Sequence, residues 1–147
     1  RTRPSVATLS NAMDVGDPSN FARLLHLCEG SVDQMRRLVH GERITESETR
    51  DAMRRAYDAS GVVLDPHGAV ALAAARAYLA STSERHPVIA LLTAHPAKFA
   101  DAIRAELGFE PRLPEHEQDW RSRPLLATDL TDTRFDTFRD WLMSRPG

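Results

Sequence analysis

The sequence predicts an α/β fold, rich in helices and with few, mostly parallel strands flanked by those helices. Three observations predict it. His86-Pro-Val-Ile-Ala-Leu-Leu-Thr93 is a short, nearly unbroken apolar run, the pattern of a parallel strand buried on both faces. The run leads into Pro96, which suits the first turn of a helix, and Phe99, Ile103 and Leu107 then recur every four residues until Gly108 stops the pattern. The Ala-rich stretch 69–80 is slim enough to pack close against a sheet.

Each remaining element follows from local chemistry. Residues 1–16 carry no periodicity and read as an irregular segment. Asp17-Pro18 offers an N-cap and a first-turn proline, opening a helix whose stripe is Phe21, Leu24, Leu25 and Cys28 and whose stop is Gly30. Ser31 caps a short helix with Val32, Met35, Leu38 and Val39 facing inward. Thr45-Glu-Ser-Glu48 fits a capping box, with Met53, Ala56 and Tyr57 inside and Gly61 as the stop. Val62-Val-Leu64 reads as a very short strand, and Asp65-Pro66 repeats the cap-plus-proline device before the Ala-rich helix. Residues 108–123 hold two prolines and many charges, a long surface connection. Leu125-Leu126 suggests a last edge strand, and Phe135, Phe138 and Leu142 mark a closing amphipathic helix.

Composition bounds the class. A chain of 147 residues with 41% hydrophobic and 27% charged residues is a single domain or less, with enough apolar side chain for a core. No apolar h-region follows the opening basic residues, and no apolar stretch approaches a membrane span. A net charge of -2 with scattered arginines argues against nucleic acid as the main partner. The single cysteine, Cys28, cannot form an internal disulfide and falls on an apolar stripe, which fits a core residue in a reducing cytoplasm. The 6 histidines are scattered without a His-x3-His pair, so no metal site is expected.

The residues that point to chemistry lie at 93–99. Ligands of open α/β sheets bind beyond the carboxyl ends of strands, beside helix N-termini, and Thr93 and His95 sit on such a junction. His95 either donates to a ligand oxygen or caps the helix that begins at Pro96. His67, in Asp65-Pro-His67, carries the same ambiguity. A second polar cluster opens the chain: Ser10-Asn-Ala-Met-Asp14, then Pro18-Ser-Asn20 at a helix start, with Arg23 one turn on. Asn11, Ser19, Asn20 and Arg23 could together receive an anion there, or Ser19 and Asn20 could simply be solvated beside a cap.

Three segments, in order, carry a family resemblance: Thr8-Leu-Ser-Asn-Ala-Met-Asp14 with Pro18-Ser-Asn20, Asp65-Pro-His-Gly-Ala69, and Thr93-Ala-His-Pro-Ala-Lys-Phe99. The chain resembles the C-terminal part of threonine synthase, a fold-type II enzyme dependent on pyridoxal 5′-phosphate. The resemblance covers residues 1–147, about the last third of that enzyme. It implies conversion of O-phospho-L-homoserine and water to L-threonine and phosphate through a Schiff base on the cofactor. It also implies that Thr93, with His95, binds the cofactor, the Thr93 hydroxyl facing its ring nitrogen. A neutral hydroxyl leaves such a nitrogen largely unprotonated. Because that substrate carries a phosphate, Asn11, Ser19, Asn20 and Arg23 become candidates for the substrate side, as does His67, without the resemblance assigning their individual roles.

The resemblance further places the Schiff-base lysine outside this chain, in an N-terminal portion that would be its partner. Of the 19 basic residues, 18 are arginine, and Lys98 is the lone lysine. Spacing offers it as the Schiff-base amine; the resemblance makes it a solvated helix residue instead. No Gly-rich phosphate loop occurs either. The chain alone is therefore expected to catalyse nothing. The rivals are another fold-type II enzyme, such as a dehydratase or cysteine synthase, and a free-standing, non-catalytic α/β binding or interaction domain.

Overall fold

The computed structural model describes residues 3–83, 86–115 and 122–145, and divides into two compact units, 1–112 and 113–147. In the first unit the helices are α1 (Phe21–Leu27), α2 (Val32–Leu38), α3 (Glu46–Ser60), α4 (Pro66–Ser81) and α5 (Ala100–Leu107). Single 3-10 turns stand at Asn11–Met13 and Pro96–Phe99. The second unit holds α6 (Phe135–Met143).

The core is built where α3 lies against α4 and α5. In α3, Thr49, Ala52, Met53 and Ala56 recur at helical spacing and are all buried. Leu64, Ala69 and Ile103 close around them, with Leu72, Leu107 and Phe109 packed at the edge. Met53 and Ile103 are fully buried, and each such side chain stabilises the fold by roughly 1.5–3 kcal/mol. An ionic clasp reinforces the α3–α5 contact. The Glu106 carboxylate, 6% exposed, accepts from Arg50 and, at 2.6 Å, from Arg54.

Caps set the helix ends as their chemistry dictates. The Thr45 hydroxyl accepts from Glu48 N while Glu48 accepts from Thr45 N at 2.7 Å, and Gly61 ends α3 at φ 70°. Those bonds from Thr45, backbone first, hold the Glu48 carboxyl below its ordinary range. Ser31 caps α2 through Gln34 N, Asp65 caps α4, and Gly108 stops α5 at φ 78°. In the second unit, the bond from Arg134 N leads the causes that hold the Asp132 carboxyl down, just ahead of α6.

Several sequence expectations are corrected. The helix expected from Asp17-Pro18 begins only at Phe21, with Asn20 at its N-cap and no side-chain bond there. Along α2 only Met35 of the expected inward set is half-buried, while Val32, Leu38 and Val39 are exposed. Tyr57 is 38% exposed and rests on Phe109 rather than inside. Among the described residues no segment forms a strand. Val62–Leu64 is a connection whose Leu64 enters the core, and Leu125 and Leu126 are exposed. Residues 86–93, expected as a buried strand, run without helix or turn until the bend at Ala94, and Ile89 and Leu91 are 83% and 73% exposed. A parallel strand is covered only when strands flank it and helices lie on both faces. The described residues supply no flanking strand. Part of the predicted connection 108–123 lies outside the described residues.

Candidate functional site

The first turn of α4 organises the site. Asp65, 2% exposed, stands at the N-cap and its carboxylate accepts from Gly68 N and His67 N, both at 3.1 Å. Two orphan amides of the helix start are thus satisfied, and the negative charge meets the positive end of the helix dipole. The same carboxylate lies 2.7 Å from His67 Nδ1. An ionised carboxylate only accepts, so Nδ1 carries the proton in this contact. The His67 side chain is 8% exposed, and its Nε2 is buried without a hydrogen-bond partner among the described residues.

Facing this turn is the segment that sequence analysis singled out. The Phe99 ring lies 4.8 Å from that of His67. Leu92 lies so close to Gly68 that a Cβ there would sit 2.8 Å from Leu92 Cδ2. Thr93 and His95, both exposed, lie between these two contacts. His95 resolves one ambiguity in favour of capping: its Nδ1 accepts from Ala97 N at 3.1 Å, and its carbonyl accepts from Lys98 N. With one ring nitrogen committed, a ligand contact would fall to Nε2. Lys98 is exposed. On the other side of His95, a groove of about 400 Å³ runs past Tyr57, Val63, Pro96, Phe109 and Arg112.

The amino-terminal cluster is a separate piece of local structure. Asp14 accepts from Thr8 N at 2.8 Å and from Thr8 Oγ1 at 2.6 Å, closing a loop that exposes Asn11. Leu9 N donates to Glu46, so the loop rests on the start of α3. Ser19, Asn20 and Arg23 are exposed side chains at the start of α1. The backbone amides expected there for an anion are engaged, since Phe21 N, Ala22 N and Arg23 N donate to Pro18, Ser19 and Asn20 carbonyls.

Thus two of the three signature segments meet through His67 and Phe99, and Gly68 meets Leu92 just ahead of the third. Sequence reasoning took Asp65 for a cap alone and missed it as the buried partner of His67. The signal was present: an Asp at an N-cap with His two residues on can bond both backbone and ring. Among the described residues no cluster of three potential metal ligands occurs, and no helix is long and apolar enough to cross a membrane.

Comparison with known proteins defines the class. The fold matches a solved structure, the pyridoxal-phosphate-bound threonine synthase from Brucella melitensis, at a TM-score of 0.66 and 31% identity, over 84% of this chain and 31% of that one. Residues 68–140 match the family described as threonine synthase, C-terminal, and so include His67's neighbours in α4 and the whole 93–99 segment. The threonine synthase of Serratia marcescens is 38% identical over 142 residues, covering 97% of this chain and 32% of that protein. That of Haemophilus influenzae is 35% identical over 141 residues, covering 96% and 32%. The chain is similar to the C-terminal third of threonine synthases along nearly all of its length. It spans about a third of the length of the curated relatives it matches.

Proposed function

We propose that the chain is the C-terminal part of a threonine synthase catalytic domain, acting with an N-terminal portion of the same enzyme in the cytoplasm. The whole enzyme would convert O-phospho-L-homoserine and water to L-threonine and phosphate. One observation carries this reading: relatives of that activity align along 97% of the chain. The donor set at 93–95 fits pyridoxal 5′-phosphate. Thr93 presents an exposed neutral hydroxyl, suited to a pyridine nitrogen, and His95 keeps its second ring nitrogen beyond the cap bond. When bound, that group supplies an electron sink for removing protons beside the substrate's amino-bearing carbon.

This chain's own share is positioning. Thr93 holds the ring nitrogen without protonating it. His95 orients an oxygen of cofactor or substrate through Nε2, its ring fixed by the bond to Ala97 N. Asn11, Ser19, Asn20 and Arg23 supply exposed donors toward the substrate phosphate, Arg23 as a charged fork. His67 acts on the substrate side indirectly, from a buried position against Phe99 of the 93–99 segment. The lysine amine that moves protons would come from the N-terminal portion, so Lys98 has no catalytic part. The exposed segment 86–93 would become a strand of the α/β domain once parallel neighbours in that portion complete it.

Purified protein carrying both portions should release phosphate from O-phosphohomoserine with pyridoxal phosphate present, and act poorly on serine and threonine. Turnover of serine or threonine in preference would replace this reading with that of a dehydratase.

A further inference from the structure

Thr93 and His95 lie on a short exposed turn, where backbone freedom would ordinarily blur the aim of both side chains. Two contacts bracket that turn, and both come from a single turn of α4. On one side Leu92 occupies the space that a Cβ on residue 68 would need. On the other, Phe99 rests against the His67 ring, and that ring is tethered by Asp65. We propose that Asp65, His67 and Gly68 form a two-point clamp that positions the Thr93–His95 turn. The three are positioning residues, and the inference stands on the fold without depending on which ligand the turn meets.

The chemistry of the His67 ring supports this reading. With the proton on Nδ1, the ring donates to a buried carboxylate that already accepts two backbone amides. With the proton on Nε2 instead, a lone pair would face the carboxylate and a buried N–H would lack an acceptor among the described residues. Asp65 therefore fixes both the tautomer and the orientation of the ring, as outer carboxylates do for functional histidines. The fixed ring face then seats Phe99, the last residue of the turn that His95 caps. Gly68 does the matching service at Leu92 by having no side chain.

The test uses the 147-residue chain in solution. Long-range proton–nitrogen NMR should find the His67 Nδ1 protonated; a bare Nδ1 overturns the proposal. In His67→Ala, hydrogen-exchange protection of the Ala97 and Lys98 amides should fall by roughly threefold to tenfold, while that of Met53 and Ile103 holds. In Gly68→Ala the Thr93 and His95 resonances should move with the melting midpoint little changed, because the helix-propensity gain offsets the crowding. If His67→Ala lowers core protection as well, Gly68→Ala decides. Unmoved Thr93 and His95 resonances in Gly68→Ala would show that the turn is not held from α4.

Discussion

A single hydroxyl separates Thr93 from valine, and the two side chains are nearly the same shape. Thr93→Val in the complete enzyme should therefore leave folding intact while removing the bond proposed to the cofactor ring. A hydrogen bond of this kind is worth about 1–3 kcal/mol when its partner is left buried and unsatisfied, so activity should fall by about fivefold to 150-fold. Phosphate release from O-phosphohomoserine measures it, and unchanged turnover would remove Thr93 from the site. Glu48 offers a pH test. Its carboxyl is held low in the folded chain by bonds from Thr45, so it adds stability that is complete above the unfolded value. That stability is lost as pH falls through the lower, folded value. The protection factors of the Thr45 and Glu48 amides, corrected for intrinsic exchange, should therefore fall as pH drops through the carboxylate range, and Glu48→Ala should abolish that dependence.

At the scale of elements, burial decides which apolar residues matter. Met53 lies in the α3–α4–α5 core with no exposure, whereas Ile89 is 83% exposed on the extended segment. Met53→Ala should cost about 2–5 kcal/mol in urea unfolding, since it removes contacts and leaves a cavity. Ile89→Ala in the isolated chain should change stability by no more than about 0.5 kcal/mol. Equal costs would mean that 86–93 is packed in solution. Elements with caps were legible from sequence to within a residue. Thr45 with Glu48, Asp65 with Pro66 and Gly108 carry their signals locally, and α3, α4 and α5 begin or end there. The Asp17-Pro18 signal misled by three residues: α1 begins only at Phe21, after turn bonds in which Phe21, Ala22 and Arg23 N donate to the Pro18, Ser19 and Asn20 carbonyls.

For the whole molecule, the apolar face of 86–93 is the dominant unmet demand. Val88, Ile89, Leu91 and Leu92 are all exposed in one run. Such a face covers itself against another chain when its own neighbours are absent. The isolated chain should self-associate at high concentration, and the pair Ile89→Lys with Leu91→Lys should suppress this in sedimentation without lowering the unfolding midpoint. Association unchanged by that pair would place the sticky surface elsewhere.

What the sequence determined by itself is local: the caps that open α2, α3 and α4, Met53 and Ala56 in the buried stripe of α3, the junction at 93–99 and the likeness to threonine synthases. Each is written in residues within a few positions of one another, where caps, turns and periodicity act. Only the tertiary structure decided that Asp65 grips the His67 ring, that this ring carries Phe99, and that Leu92 fits over Gly68. Two of those contacts, His67–Phe99 and Gly68–Leu92, join residues 32 and 24 positions apart, and no local rule encodes which distant side chains will meet. The tertiary structure decided the fate of 86–93 as well. Its hydrophobicity marks a strand, but burial depends on flanking strands, which the described residues of this chain do not provide.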